Sequence, residues 1–192
     1  MRARDVRVDR MLVLAQRVTY VGELGWELYV DPAWAGQVWD RLLDAGSDFG
    51  ITPGGYRVLD SLRMEKGYRY YGTDMGPLDT PFEAGLGFCV HRDKWPSIRR
   101  EVSRRLRTLA VGAEEYVPIY GGEAVHGDGR VVGRLRSCAY GFTVRKNLAY
   151  SYLPVELKPG AQVDVEVFGQ MVPAVVTQDA VLAKHELKQR AS

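Results

Sequence analysis

The chain has 192 residues, 46% hydrophobic and 10% aromatic, and a formal net charge of +2 from 26 basic and 24 acidic side chains. This is ordinary globular material that can bury one good core or two small ones, which excludes a disordered tail. So even a charge balance offers no strong field for nucleic acid or an anionic membrane surface. No apolar run reaches the ~18 residues that a membrane-spanning helix needs.

The first residues, Met1-Arg-Ala-Arg-Asp-Val-Arg7, are basic, but only five apolar residues follow, Met11–Ala15, too few for the core of a secretion signal. The expected compartment is the cytoplasm, and the basic start leaves an organelle open. Val18–Val30 alternates around Gly22 and Gly25 and reads as a strand with a bulge or a close backbone approach. Asp31-Pro32 closes it and starts a helix to Gly46, with Trp34, Val38 and Leu42 as the core stripe and Trp39 and Leu43 beside it. A second helix is expected from about Gly54 to Lys66, with Val58, Leu59 and Leu62 as its apolar face and Gly67 as its stop. Asp60 and Arg63 stand three apart on that helix and can pair across one turn. Tyr68–Tyr71 reads as a short aromatic strand or turn, and Leu86–Val90 as a further strand. Strand, helix, helix, strand is an α+β arrangement.

Trp95–Arg107 is strongly basic, with Ile98, Val102 and Leu106 at helical spacing, and reads as a solvated linker helix between domains. Beyond Leu109 short apolar runs alternate with turn signals. Val131-Val132, Leu148–Leu153, Val163–Phe168 and Val172–Val176 are the strands, and Asp128-Gly129 is a hairpin turn. Such spacing describes a small all-β barrel. Cys89 and Cys138 have no CxxC partner and read as buried or half-buried small hydrophobes. His91, His126 and His185 are scattered, so no metal site is expected.

Four strings carry a resemblance: YVGELGWELYV from Tyr20, LDSLRMEKGYRYYGTD from Leu59, DTPFEAGLGF from Asp79 and VVGRLRSCAYGFTVRKNLAYSYLP from Val131. In them, from about Arg17 to about Ala183, the chain resembles the glycine-cleavage T-protein (aminomethyltransferase) superfamily. The first and second strings, with Val21 and Trp26, look most like the folate domain that follows an FAD domain in dimethylglycine and sarcosine dehydrogenases. The resemblance implies residues 1–98 as the C-terminal half of a folate-binding α+β domain. It further implies 99–107 as the linker helix, 108–185 as the C-terminal β-barrel and 186–192 as a tail.

It also implies tetrahydrofolate as the ligand. One carboxylate can accept from the adjacent N–H donors of a reduced pterin at once, a charge-assisted contact of the stronger kind. Glu23 falls on the family's position for that contact. Arg63 falls on the arginine that lies near the folate's glutamate tail, where a planar fork suits carboxylate. Tyr20, Tyr70 and Tyr71 are candidates to stack on the ligand, and are equally suited to a core. The aspartate that positions the reacting folate nitrogen belongs, in the family, to a part well before the YVGE string. Only 19 residues precede Tyr20 here, so an incomplete pocket and no assignable catalytic residue are expected. Where some relatives place an arginine in the last barrel strands, this chain has Val167-Phe168-Gly169. No glycine-rich FAD fingerprint occurs.

Three readings stay open at this point. The chain is a one-carbon transfer module that binds folate, or the acceptor end of a dehydrogenase of that kind. Otherwise it is a non-catalytic remnant that associates with itself or with a chain supplying the missing half-domain or FAD domain.

Overall fold

A computed structural model describes residues 2–98 and 102–182. The middle of the expected linker, 99–101, the end of the expected barrel, 183–185, and the tail with its neighbour His185 lie outside the described residues. These form two compact units that meet in sequence between Val58 and Leu59.

The first unit is a three-stranded antiparallel sheet, β1 (Arg2–Val8), β2 (Met11–Arg17) and β3 (Glu27–Val30), in that order, with one long helix, α1 (Ala35–Gly46). β1 and β2 form a hairpin in which Val8 pairs with Met11 and Asp9 takes a φ of 52°. Met11, Val13 and Ala15 share the buried face, and Val38 of α1 belongs to the same cluster with Val6, Val8, Val30 and Trp34 at its margin. The Asp31 side chain accepts from the Ala33 N–H at 2.8 Å and Pro32 opens the 3-10 turn Pro32–Trp34, so the helix start is capped as its sequence demands. Of the expected stripe, Val38 is buried, whereas Trp39 and Leu42 are exposed. The strand expected over Val18–Val30 is confined to Glu27–Val30, because residues 20–24 bend away from β2. Gly22 sits at φ 71°, a conformation that breaks an extended run.

The second unit joins α2 (Val58–Glu65) and the loops after it to a closed barrel in the order β4-β7-β6-β5-β8-β9. Its strands are β4 (Arg104–Val111), β5 (Ala124–Gly127), β6 (Arg130–Gly141), β7 (Lys146–Pro154), β8 (Gln162–Val167) and β9 (Gln170–Thr177). The fold is therefore α+β followed by a small β-barrel, as expected. The short α3 (Trp95–Ile98) begins the basic segment, but Arg104–Arg107 already lie in β4, so the linker helix does not extend through them. Leu86–Val90 is a 3-10 turn at Gly87–Cys89 and not a strand. Its N–H groups bond locally, Cys89 N–H to Leu86 O at 3.0 Å, and among the described residues it pairs with no strand. Cys89 is exposed, against the expectation of burial, and Cys138 is half-buried.

β7 is buried along nearly its whole length because the two faces enter different cores. Ala149 and Leu153 join Leu109, Val125, Val165 and Val176 inside the barrel. Leu148, Tyr150 and Tyr152 face outward and pack with Leu106 and with Met64 of α2. Asn147 at its start ties down the following loop, donating to the carbonyls of Val111 and Glu115 and accepting from the Val117 N–H at 2.8 Å.

The Asp128-Gly129 turn joins β5 to β6 with both residues at positive φ, 50° and 73°, the pair of conformations a type I′ hairpin needs. A Cβ on Gly129 would meet nothing within 4 Å, so any penalty there is conformational. Gly129→Ala is expected to lower unfolding free energy by about 1 kcal/mol, read from urea denaturation, with the barrel otherwise unchanged.

Candidate functional site

α2 buries the wrong side by ordinary rules. Ser61, Arg63, Met64 and Glu65 are buried while Val58 and Leu59, expected as the apolar face, are exposed. The helix is held by polar contacts to the barrel instead. The Ser61 hydroxyl donates to the Tyr140 carbonyl at 2.6 Å, and Glu65 Oε1 accepts from the Thr143 N–H at 2.7 Å. Gly141 is needed beneath it, since a Cβ there would come within 3.0 Å of the Glu65 side chain.

Arg63 is only 2% exposed. Its Nε donates to Asp60 Oδ1 at 2.8 Å, with Nη2 2.7 Å from the same oxygen, so the pairing expected across one turn is present. Nη1 donates to Asp74 Oδ2 at 2.7 Å and to the Tyr68 carbonyl at 3.0 Å, and Nη2 donates to the Ser137 hydroxyl at 2.8 Å. A guanidinium has five N–H donors; four of them are in hydrogen bonds, and the same Nη2 also stands in an ion pair with Asp60. Burial alone would lower the Arg63 pKa, but Asp74 and Asp60 outweigh it and hold it above its ordinary value. Tyr70 and Tyr150 lie on the guanidinium at 5.7 and 5.9 Å. The arginine expected to grip a ligand carboxylate is thus placed inside the protein as a structural centre, its donors spent on the chain itself.

Asp74 and Ser137 were not singled out in sequence, and nothing local marks them. Asp74 lies 11 residues on, in the loop after α2, and Ser137 lies 74 residues on, so only the fold brings them to Arg63. Asp74, itself fully buried, also accepts from the Tyr70 N–H at 2.7 Å. Tyr71 is 65% exposed and forms a lone bridge with Met75.

Glu23 and Tyr20 belong to the first unit, both half-buried in the bend that follows β2. The Thr19 hydroxyl accepts from the Val21 N–H at 3.2 Å, and a Cβ on Gly25 would lie 3.4 Å from the Thr19 side chain and the Val18 carbonyl. The glycines let the chain fold back tightly and present Glu23 on a turn. Glu23 and Tyr20 are therefore together in one unit, Arg63 and Tyr71 in the other.

A second ionic cluster lies at the start of β4. Arg104 Nε donates to Glu83 Oε1 and Nη2 to Asp79 Oδ1, both at 2.9 Å. Thr80 and Glu83 cap each other: the Glu83 carboxylate accepts from the Thr80 N–H at 2.8 Å and the Thr80 hydroxyl from the Glu83 N–H. Burial would raise the Glu83 pKa, yet the Thr80 N–H and Arg104 together hold it below the usual carboxylate range. Among the described residues there is no metal-binding group of three or more His, Cys, Asp or Glu, and no helix long and apolar enough to cross a membrane.

A sheet-and-helix unit followed by a closed six-stranded antiparallel barrel, with the SLR segment packed on the barrel, defines a distinct class of α+β protein. Residues 1–94 match the GCVT N-terminal domain and residues 104–182 the glycine cleavage T-protein C-terminal barrel domain. The chain belongs to the glycine cleavage T-protein family. It is 42% identical over 156 residues to mitochondrial sarcosine dehydrogenase of Mus musculus, covering 77% of this chain and 17% of that protein. It is 32% identical over 201 residues to mitochondrial dimethylglycine dehydrogenase of Homo sapiens, covering 99% of this chain and 23% of that one. An aminomethyltransferase of Desulfitobacterium hafniense is 34% identical over 181 residues, covering 87% of this chain and 48% of the relative. The crystal structure of glycine cleavage system aminomethyltransferase T from Bartonella henselae superposes with a TM-score of 0.78 at 24% identity, over 93% of this chain and 50% of that one, a likeness of fold. The chain thus spans about a fifth of these dehydrogenases and about half of these aminomethyltransferases.

Removing a charge from the Arg63 centre separates buried from exposed partners. Asp74→Asn leaves the guanidinium short of its fully buried counter-ion and is expected to cost about 3 kcal/mol. Asp60→Asn, at a carboxylate 44% exposed, is expected to cost under about 1 kcal/mol. Urea melts of the two variants beside the parent check the order.

Proposed function

We propose that this chain is the folate-side module of a one-carbon transfer protein, with tetrahydrofolate as its ligand and a one-carbon unit carried on an N-methyl or aminomethyl donor as its cargo. Membership of the family over both of its domain models is the observation that supports this most. The relatives named as sarcosine and dimethylglycine dehydrogenases favour the acceptor end of a demethylating system. Those named as aminomethyltransferases favour the same transfer from another donor.

Glu23 fits a pterin. It is a carboxylate on a glycine-kinked turn, where backbone can lie close to a flat ring and two oxygens can accept from adjacent N–H donors. Tyr20, in the same bend, is the ring proposed to stack on the ligand. Arg63 is left out, because its donors are already engaged. The chemistry asked of this chain is positioning: orienting the folate nitrogen and keeping its proton inventory.

The test is calorimetric titration of the chain with tetrahydrofolate. Binding is expected to be weak, and Glu23→Gln is expected to weaken it about tenfold or more, the scale of a lost charge-assisted pair. Equal affinity in both proteins would remove Glu23 from the site.

One observation favours a second reading, an associating module. On the outer face of the first unit's sheet, Leu12 is 59% and Tyr29 52% exposed beside Leu14, and β1 has a free edge. Apolar faces of this kind promote association. Light scattering coupled to size-exclusion chromatography would then show mass rising with concentration, and a constant monomer mass would argue against it.

A further inference from the structure

The barrel carries a cleft of about 720 Å³ whose wall includes three arginines, Arg104, Arg134 and Arg136, with Gly122, Gly133 and Tyr152, and, among the described residues, no carboxylate. All of these residues belong to the second unit. Arg104 is already neutralised by Asp79 and Glu83. Arg134 and Arg136 have no carboxylate partner among the described residues, although both are held in place. Arg134 Nη1 donates to the Gly122 carbonyl at 3.0 Å, which leaves the rest of its fork to the cleft. Arg136 lies on the Tyr152 ring at 5.7 Å, and Arg104 lies on the same ring at 4.7 Å.

Three further features mark a built cleft and not a scatter of surface charge. Tyr152 is buried, 7% exposed, and its hydroxyl has no hydrogen-bond partner, a cost the fold retains. Burial first, and Asp79 second, push that hydroxyl up to about 12, so it remains a donor at neutral pH. Two glycines shape the wall, one at a positive φ and one that lets β6 lie close on β7. Gly122, at φ 92°, faces open space, while a Cβ on Gly133 would strike the Tyr152 carbonyl at 2.6 Å. Arg134 and Arg136 are two apart on β6, at the start of the stretch where its register with β7 shifts, and both line the cleft. Two forks without a carboxylate partner suit two anionic groups on one small molecule better than a single carboxylate, which one fork would satisfy.

We propose that the Arg134–Arg136 cleft binds a small polyanion, a molecule carrying two or more phosphate or carboxylate groups. This stands apart from the folate reading, since it uses none of Glu23, Tyr20 or Tyr71.

Two probes distinguish the anion's source: pyrophosphate for phosphate and citrate for polycarboxylate, each titrated calorimetrically into the full chain at constant ionic strength. Saturable binding of at least one is expected, and the tighter probe names the class. The double variant Arg134→Gln/Arg136→Gln alters exposed side chains only, and its unfolding midpoint should match the parent while affinity falls about tenfold or more. Tyr152→Phe removes an unpaired buried hydroxyl, so it should leave stability unchanged or higher. No saturable binding of either probe to the parent, or equal affinity in parent and double variant, would overturn the proposal.

Discussion

The second unit depends on the burial of one guanidinium. A charged group out of water is tolerated only when its donors are matched and a counter-ion is close. Arg63 meets that demand with groups from its own helix, from the loop carrying Tyr68 and Asp74, and from β6 through Ser137. Shifting any one of these by more than a hydrogen-bond length strands a charge, so helix, loop and strand share one arrangement. The Glu65 and Ser61 contacts extend the same logic along α2, whose buried face is polar apart from Met64, while Val58 and Leu59 are left exposed.

The barrel answers with the opposite economy. Its interior is aliphatic, and outside it Leu106 of β4 and Leu148, Tyr150 and Tyr152 of β7 form a second cluster with Met64 of α2. Where that cluster ends, near the start of β4, Arg104 is met by Asp79 and Glu83, and the neighbouring arginines of β6 have no carboxylate partner among the described residues. Positive charge left uncompensated beside a buried aromatic ring is the physical origin of the cleft assigned to a polyanion. Asymmetry of this kind cannot arise from composition, because the chain as a whole is nearly neutral.

The sequence was most legible where a local rule acts alone. Asp128-Gly129 demands positive φ, Asp31-Pro32 caps a helix, and the alternation of β8 marks one face inward; each holds in the structure. It was less legible where two periods coexist. Ile98, Val102 and Leu106 stand four apart as in a helix, but Leu106 also alternates with Thr108 in a strand, and pairing with β7 and β9 decides for the strand. The run from Val18 to Val30 alternates too, yet Gly22 at positive φ bends it, leaving Glu23 on a turn. Leu86–Val90 is apolar enough for a strand and pairs with none among the described residues.

Matched strings along the chain determined the family, and turn and cap residues determined the hairpins and the first helix, because both are properties of adjacent residues. The tertiary structure alone decided the fate of Arg63. Its i, i+3 partner Asp60 could be read from helix geometry, but Asp74 and Ser137 come from the loop and the barrel. Only the closing of strands around a core brings such groups within hydrogen-bond distance, and that closure turned a residue suited to a ligand into one that holds the protein together.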